Sequence, residues 1–266
     1  MVSMPKRVLS ISYDTALLSI FQKPKSRFCM IVMCTAMFPF WFIKASVAQA
    51  TWRGCGPSQT THQVLGHAGR LLHGIEDVPR AAIRPENLKW ELPIGLTTGL
   101  LIAEADQPAA NRIQSKSFQN LAGRWSDAGL GIEIAAGAAT WGAGCIEHKP
   151  SLRDNGLTAL TAMGAAGTFD LALKLAFDRE FPFKPGSQGA FWGGGRSFPS
   201  GHAATSFAFA SAIAHRYPHH RWVKWGAYTF ASGVALSRYP AKRHYLSDIL
   251  VGSTLGYVTG TFVAEH

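Results

Sequence analysis

The stretch GGGRSFPSGHAATSF, residues 193–207, sets a glycine-rich loop, a hydroxyl, a bare backbone position and an imidazole directly before an apolar, Ala-rich run. A helix N-terminus with unpaired amides is a natural anion site. Ser200 offers a hydroxyl there, Gly201 lets an anion approach the backbone, and His202 carries a proton. A second stretch, SRYPAKRHYLSD, ends at Asp248 and places Arg238 six residues before His244. His244 and Asp248 are four apart, on one face of a helix. A carboxylate bonded to one imidazole nitrogen fixes the tautomer and leaves the other nitrogen free to attack or to take a proton. A third stretch, LALKLAFDREFPFKPG, carries Lys174 late in an apolar run, with Asp170 one turn earlier as a pairing partner.

A Lys, then Ser-Gly-His, then Arg, His and Asp supply every part that phosphoryl transfer to a histidine needs. In order and spacing the chain resembles the type 2 phosphatidic acid phosphatase superfamily, also called the vanadium haloperoxidase-like acid phosphatases. Two of that family's blocks are complete: Pro199–His202, and Ser237, Arg238, His244 and Asp248. The resemblance implies an all-α helical bundle over residues 80–266 and a metal-independent phosphatase with no cofactor. It implies His244 as nucleophile, Asp248 as its orienting carboxylate, and His202 as the acid that protonates the leaving oxygen. Lys174, Ser200, Gly201 and Arg238 would hold the phosphoryl oxygens. The implied partner is a phosphorylated small molecule or lipid, with vanadate as an inhibitor. A vanadate-dependent haloperoxidase and a degenerate phosphate-binding member are the alternatives.

The family's first block is broken. It wants Lys, six residues, then Arg-Pro; here Phe181 and Pro182 follow Lys174 at that distance. Arg179, Lys184 and Arg196 are the nearby cations. Arg196, four residues before Ser200 on the glycine-rich loop, is the expected substitute. Arg179 would point well off the Lys174 face if the helix continued.

Positioning these residues falls to helices. The pattern predicts them over about 85–101, 106–120, 127–146, 154–177, 201–216, 221–236 and 244–264, several opening on Asp or Asn. No β-branched alternation argues for a sheet. Glu133, Asp170 and Lys174 interrupt the longest apolar runs, which favours a bundle outside the cytoplasm that touches a membrane surface over one that spans it. An inner-membrane protein with its site facing the periplasm is the alternative.

Of the 266 residues, the first fifty read as an export signal or signal anchor: a basic flank (Lys23–Arg27), an uncharged apolar run (Phe28–Ile43) and Ala48-Gln49-Ala50. A polar lead spans 51–79. Export would place Cys55 and Cys145 where they can pair. The net charge of +10 falls to +5 once residues 1–50 are removed, a mild excess that suits an anionic substrate or membrane surface. No Lys/Arg run is dense enough for nucleic acid.

Overall fold

The computed structural model describes residues 85–265 and, before them, residues 62, 65, 66 and 69. The expected leader (1–50), nearly all of the lead (51–79) and Cys55 lie outside the described residues. Cys145 is disulfide-bonded.

All regular structure among the described residues is helical. Helix α1 (Pro85–Leu100) contains Pro93 and runs through a π-helical turn (Leu101–Ala105) into α2 (Asp106–Arg112). Then come α3 (Lys116–Ile146), α4 (Pro150–Phe177), α5 (Gly201–Arg216), α6 (Arg221–Ser237) and α7 (Leu246–Glu265). Three expected boundaries move: α7 opens at Leu246, so His244, expected in the same helix as Asp248, stands in the turn before it. The helices expected at 106–120 and 127–146 divide instead at residues 113–115, where Ile113 is extended and the Ser115 hydroxyl accepts from Phe118 N at 3.4 Å. Ser115 is the true cap, so Asp127 falls inside a continuous helix. Likewise α4 opens four residues before Asp154, on Pro150, whose missing N–H costs nothing in a first turn.

The core is built from small residues. Ala159, Ala162 and Ala166 of α4 meet Ala204, Ala208 and Ala212 of α5 and Val263 of α7. Gly252, Gly256 and Gly260 repeat every fourth residue along α7 and lie on the α5 backbone; a Cβ on Gly256 would run into the Ala204 carbonyl. Backbones this close gain dispersion contacts and weak hydrogen bonds rather than large apolar burial, as in helix pairs packed within lipid.

The charges that seemed to interrupt the long helices face inward. Glu133 is buried and accepts from Ser206 Oγ at 2.6 Å, and Asp170 pairs with Lys174 at 2.9 Å. Trp90, Leu96, Leu121, Trp125, Ile132, Trp222 and Tyr257 are exposed instead. Helices α3, α4 and α7 are long and apolar enough to cross a membrane. Charges that face inward do not meet lipid, so they do not by themselves bar these helices from spanning, and the alternative of a membrane protein gains support.

Candidate active site

Helix α4 stops because Asp178 turns left-handed, at φ 43°, while its N–H still caps Lys174 O at 3.0 Å. The chain then folds back on itself through residues 178–200. Trp192 N donates to Phe177 O at 2.9 Å, and Ser197 N to Arg179 O at 2.9 Å. Phe198 packs edge-on against Phe177 and Phe191, with centroids 5.2 and 5.4 Å away. This pins Ser197–Ser200 across the start of α7, where Ser200 N donates to Asp248 O at 2.9 Å.

His244 sits beneath that loop, buried. Its Nδ1 lies 2.7 Å from the Ser197 carbonyl and 3.7 Å from Asp248 Oδ2. An imidazole donating Nδ1–H to a carbonyl keeps its lone pair on Nε2. Asp248 is held from other sides: by Ser197 Oγ and Arg179 Nη1, each at 2.5 Å, and by Tyr245 N at 2.9 Å. Arg179 in turn bonds Asp106 at 2.9 Å and Gly189 O at 3.1 Å, with the Tyr245 and Phe191 rings 4.4 and 4.8 Å from its guanidinium. Asp106 closes the network by accepting from the Ser247 hydroxyl and, at 3.1 Å, from Ser247 N.

Across from His244, His202 Nε2 lies 3.0 Å from Asp127 Oδ1, the oxygen that also accepts from Arg238 Nη1 at 2.9 Å. Arg238 Nη1 is 2.8 Å from Ser126 Oγ as well, and its Nε is buried with no hydrogen-bond partner among the described residues. Lys174 Nζ donates to Asp170 and to the Pro199 carbonyl. Ser200 caps α5, accepting weakly from Ala203 N at 3.5 Å. At Gly201 a Cβ would stand 2.8 Å from Asp170 Oδ2, so the bare position makes room for the carboxylate that holds Lys174. Phe181 faces His244, ring centroids 6.3 Å apart, and stacks on Phe183 at 5.1 Å. Arg196 is exposed on the loop, with no ion-pair partner among the described residues.

Burial pushes the His244 imidazole below the usual histidine range; Asp248 opposes this, and Lys174 and Arg238 reinforce it. His202 is pushed down to about 4, first by burial and then by the Arg238 charge, with Asp127 pulling the other way. Both rings are thus neutral at pH 7, set among cations that have no anion of their own beyond Asp127, Asp170 and the Arg179-bound Asp248. The arrangement offers a basic ring nitrogen, a second proton-carrying ring, and an open guanidinium donor around one point.

The fold brings Lys174, Ser200, Gly201, His202, Arg238, His244 and Asp248 to one end of the bundle. Reading the sequence missed Asp127, Ser126, Ser197, Asp106 and the role of Arg179. Asp127 looked like a helix start. Arg179 looked misdirected because the helix ends two residues earlier than continuation would require. The one available signal was that buried Asp248 needs a compensating cation.

Residues 155–265 match the model of the PAP2 superfamily. A lipid A 1-phosphatase from Porphyromonas gingivalis is 40% identical over 65 residues, 24% of this chain and 15% of that relative's length. The chain thus matches a small part of the curated relative. A crystal structure of a transmembrane PAP2 type phosphatidylglycerolphosphate phosphatase from Bacillus subtilis is 21% identical, with a TM-score of 0.48; the match covers 65% of this chain and 92% of that one.

Proposed function

We propose, from the premise that residues 155–265 belong to the PAP2 superfamily, that this chain is a phosphatase of lipid phosphates that works through a phosphohistidine. The observation that carries the reading is a pair of unspent groups: His244 Nε2, left open because Nδ1 is held by Ser197 O, and the buried Arg238 Nε, which has no hydrogen-bond partner among the described residues. An anion between them would satisfy the guanidinium and present phosphorus to the nitrogen. The lipid-acting relative and the three membrane-length helices support a lipid substrate.

In the first step the His244 Nε2 lone pair attacks phosphorus, and the bond to the ester oxygen breaks. His202 gives its proton to that oxygen. Because Asp127 engages Nε2, the proton passes from Nδ1. The phosphoryl dianion supplies what a neutral His202 lacks at rest, since a bound negative charge raises its proton affinity. In the second step His202 takes a proton from water, the water oxygen attacks phosphorus, the P–N bond breaks and inorganic phosphate leaves. Lys174, Arg238 and the α5 N-terminus balance the charge that gathers on the phosphoryl oxygens. Arg196 is the cation we place in the role that the family's missing arginine would fill.

The test is phosphate release from phosphatidate and from lipid A by the detergent-solubilised chain, with trapping of an acid-labile phosphoenzyme. Turnover is expected to persist in EDTA and to be inhibited by vanadate, which mimics five-coordinate phosphorus. His244→Ala should remove both the phosphoenzyme and the activity. Undiminished turnover in that variant would overturn the mechanism.

A further inference from the structure

Beside the phosphoryl site lies a polar cavity of about 360 Å³ that the reaction above does not use. Gln107 and Asn111 of α2 form one wall, Phe183, Lys184 and Gln188 another, and Lys242 a third. Its size is that of a small-ligand pocket. Gln107 Nε2 donates to Ser187 O at 3.1 Å and to Tyr245 OH at 3.0 Å, which fixes the first wall against the loop. Lys184 is engaged by Glu180 at 3.0 Å and by the Gly193 carbonyl at 3.3 Å. Lys242 differs: it is half-buried, and its ammonium has no ion pair or hydrogen bond among the described residues.

Lys242 is also tied to the catalytic end. It takes a left-handed φ of 55°, its N–H donates to Tyr239 O at 2.9 Å, and Arg243 N donates to Arg238 O at 3.1 Å. The tight turn between Arg238 and His244 thus carries Lys242 onto the cavity wall. Phe183, on the cavity rim, stacks on Phe181, whose ring also lies against His244, centroids 6.3 Å apart. The aromatic pair stands between the two sites as a shared wall. Where the family pattern puts a cation next to phosphorus, this chain has a ring, and the unpaired cation lies one ring pair further out.

We propose that this cavity is a second anion subsite that takes a further phosphate on the substrate's headgroup, with Lys242 as its cation and Asn111 and Gln188 as its amide partners. The proposal rests on the reading of the phosphoryl site above. It makes the enzyme selective for headgroups that carry a second phosphate, with the linker between the two phosphates crossing the Phe181–Phe183 pair.

Binding and turnover test it separately. In a hydrolytically silent His244→Ala protein, glucose 1,6-bisphosphate should bind at least about tenfold more tightly than glucose 1-phosphate by calorimetry. Adding Lys242→Met should remove most of that difference, and Lys242→Arg should keep it. With His244 intact, Lys242→Met should lower the kcat/KM ratio of bisphosphate over monophosphate by a similar factor, through KM rather than kcat. Equal affinity for the two sugars, or a Lys242→Met loss that is the same for both, overturns the subsite. Retained binding preference with no turnover of any phosphoester would instead overturn the phosphatase reading and leave the subsite standing.

Discussion

Asp127 is the residue whose importance depends most on structure, because one of its oxygens bridges His202 and Arg238. It fixes the His202 tautomer and holds that ring's proton affinity up against burial and the Arg238 charge. In the proposed reaction His202 must be protonated to release the leaving group, so activity falls as pH rises through its apparent pKa. Asp127→Asn removes the charge that raises that value. The alkaline limb of the pH–rate profile should then move to lower pH, and turnover should drop about ten- to a hundredfold, the loss of one charge-assisted bond. A uniform drop with no movement of the limb would make Asp127 merely structural. The missing arginine is tested at this scale too. Arg179 is spent on Asp248 and Asp106, whereas Arg196 has no ion-pair partner among the described residues. Arg196→Ala should therefore cost turnover about tenfold, and Phe181→Arg should restore little, as measured by phosphate release. A silent Arg196→Ala together with a gain from Phe181→Arg would mean that no residue has taken the role. The motif residues were legible because their types and intervals are set by chemistry. Asp127 and Ser197 were not: one acts across helices from mid-helix, and the other acts largely through a backbone carbonyl that has no side-chain signature.

Among the elements, the loop 178–200 and the α5–α7 seam do the positioning, each through a different physical constraint. The loop is held by a buried charge. Arg179 compensates both Asp248 and Asp106, and all three are almost wholly buried. Arg179→Met would leave two buried carboxylates unpaired, a loss of about 3–5 kcal/mol. The variant should unfold at markedly lower temperature in detergent, and Arg179→Lys should recover part of the loss. Equal melting temperatures for all three proteins would refute this account of the loop. The seam is held by absent side chains. Gly256 lies so close to the Ala204 carbonyl that Gly256→Val must push α5 away, and α5 carries Gly201 and His202 at its head. Activity should fall with stability in that variant, although residue 256 touches nothing in the site. Helix periodicity and caps made most elements readable, and α5 and α6 are close to their expected bounds. The α3 boundary was not, since Ser115 and Asp127 are both good caps in sequence and only packing along α3 decides between them. The loop's course was illegible for a related reason: its direction is set by Arg179 reaching residues 69 and 73 positions away.

At the scale of the whole molecule, what decides behaviour is which way the charges face. Counting Glu133, Asp170 and Lys174 along the sequence argues against spanning, because an isolated charge in lipid is costly. In the fold each has a partner inside the bundle, and the outer surface of α1, α3, α6 and α7 is left to Trp, Leu, Ile and Tyr. Exposed tryptophans stand at both ends. Trp125 lies near the site on α3, while Trp222 and Trp225 lie on the first turns of α6, whose last residue leads into Arg238. Aromatic side chains at two levels suit the two interfaces of a bilayer, whose apolar core is about 30 Å thick. The chain should therefore stay with the bilayer through an alkaline carbonate wash and leave it only in detergent. Its tryptophan emission should be quenched by lipids brominated on the acyl chain near the headgroup more than by lipids brominated at the chain end. Release into the carbonate supernatant would show that a surface contact suffices. Quenching strongest from the chain end would place the tryptophans at the bilayer centre and refute the two-belt arrangement, even if the protein proved to be integral. A site at one end of such a bundle, close to one belt, lies at the depth where the phosphate of a lipid headgroup sits.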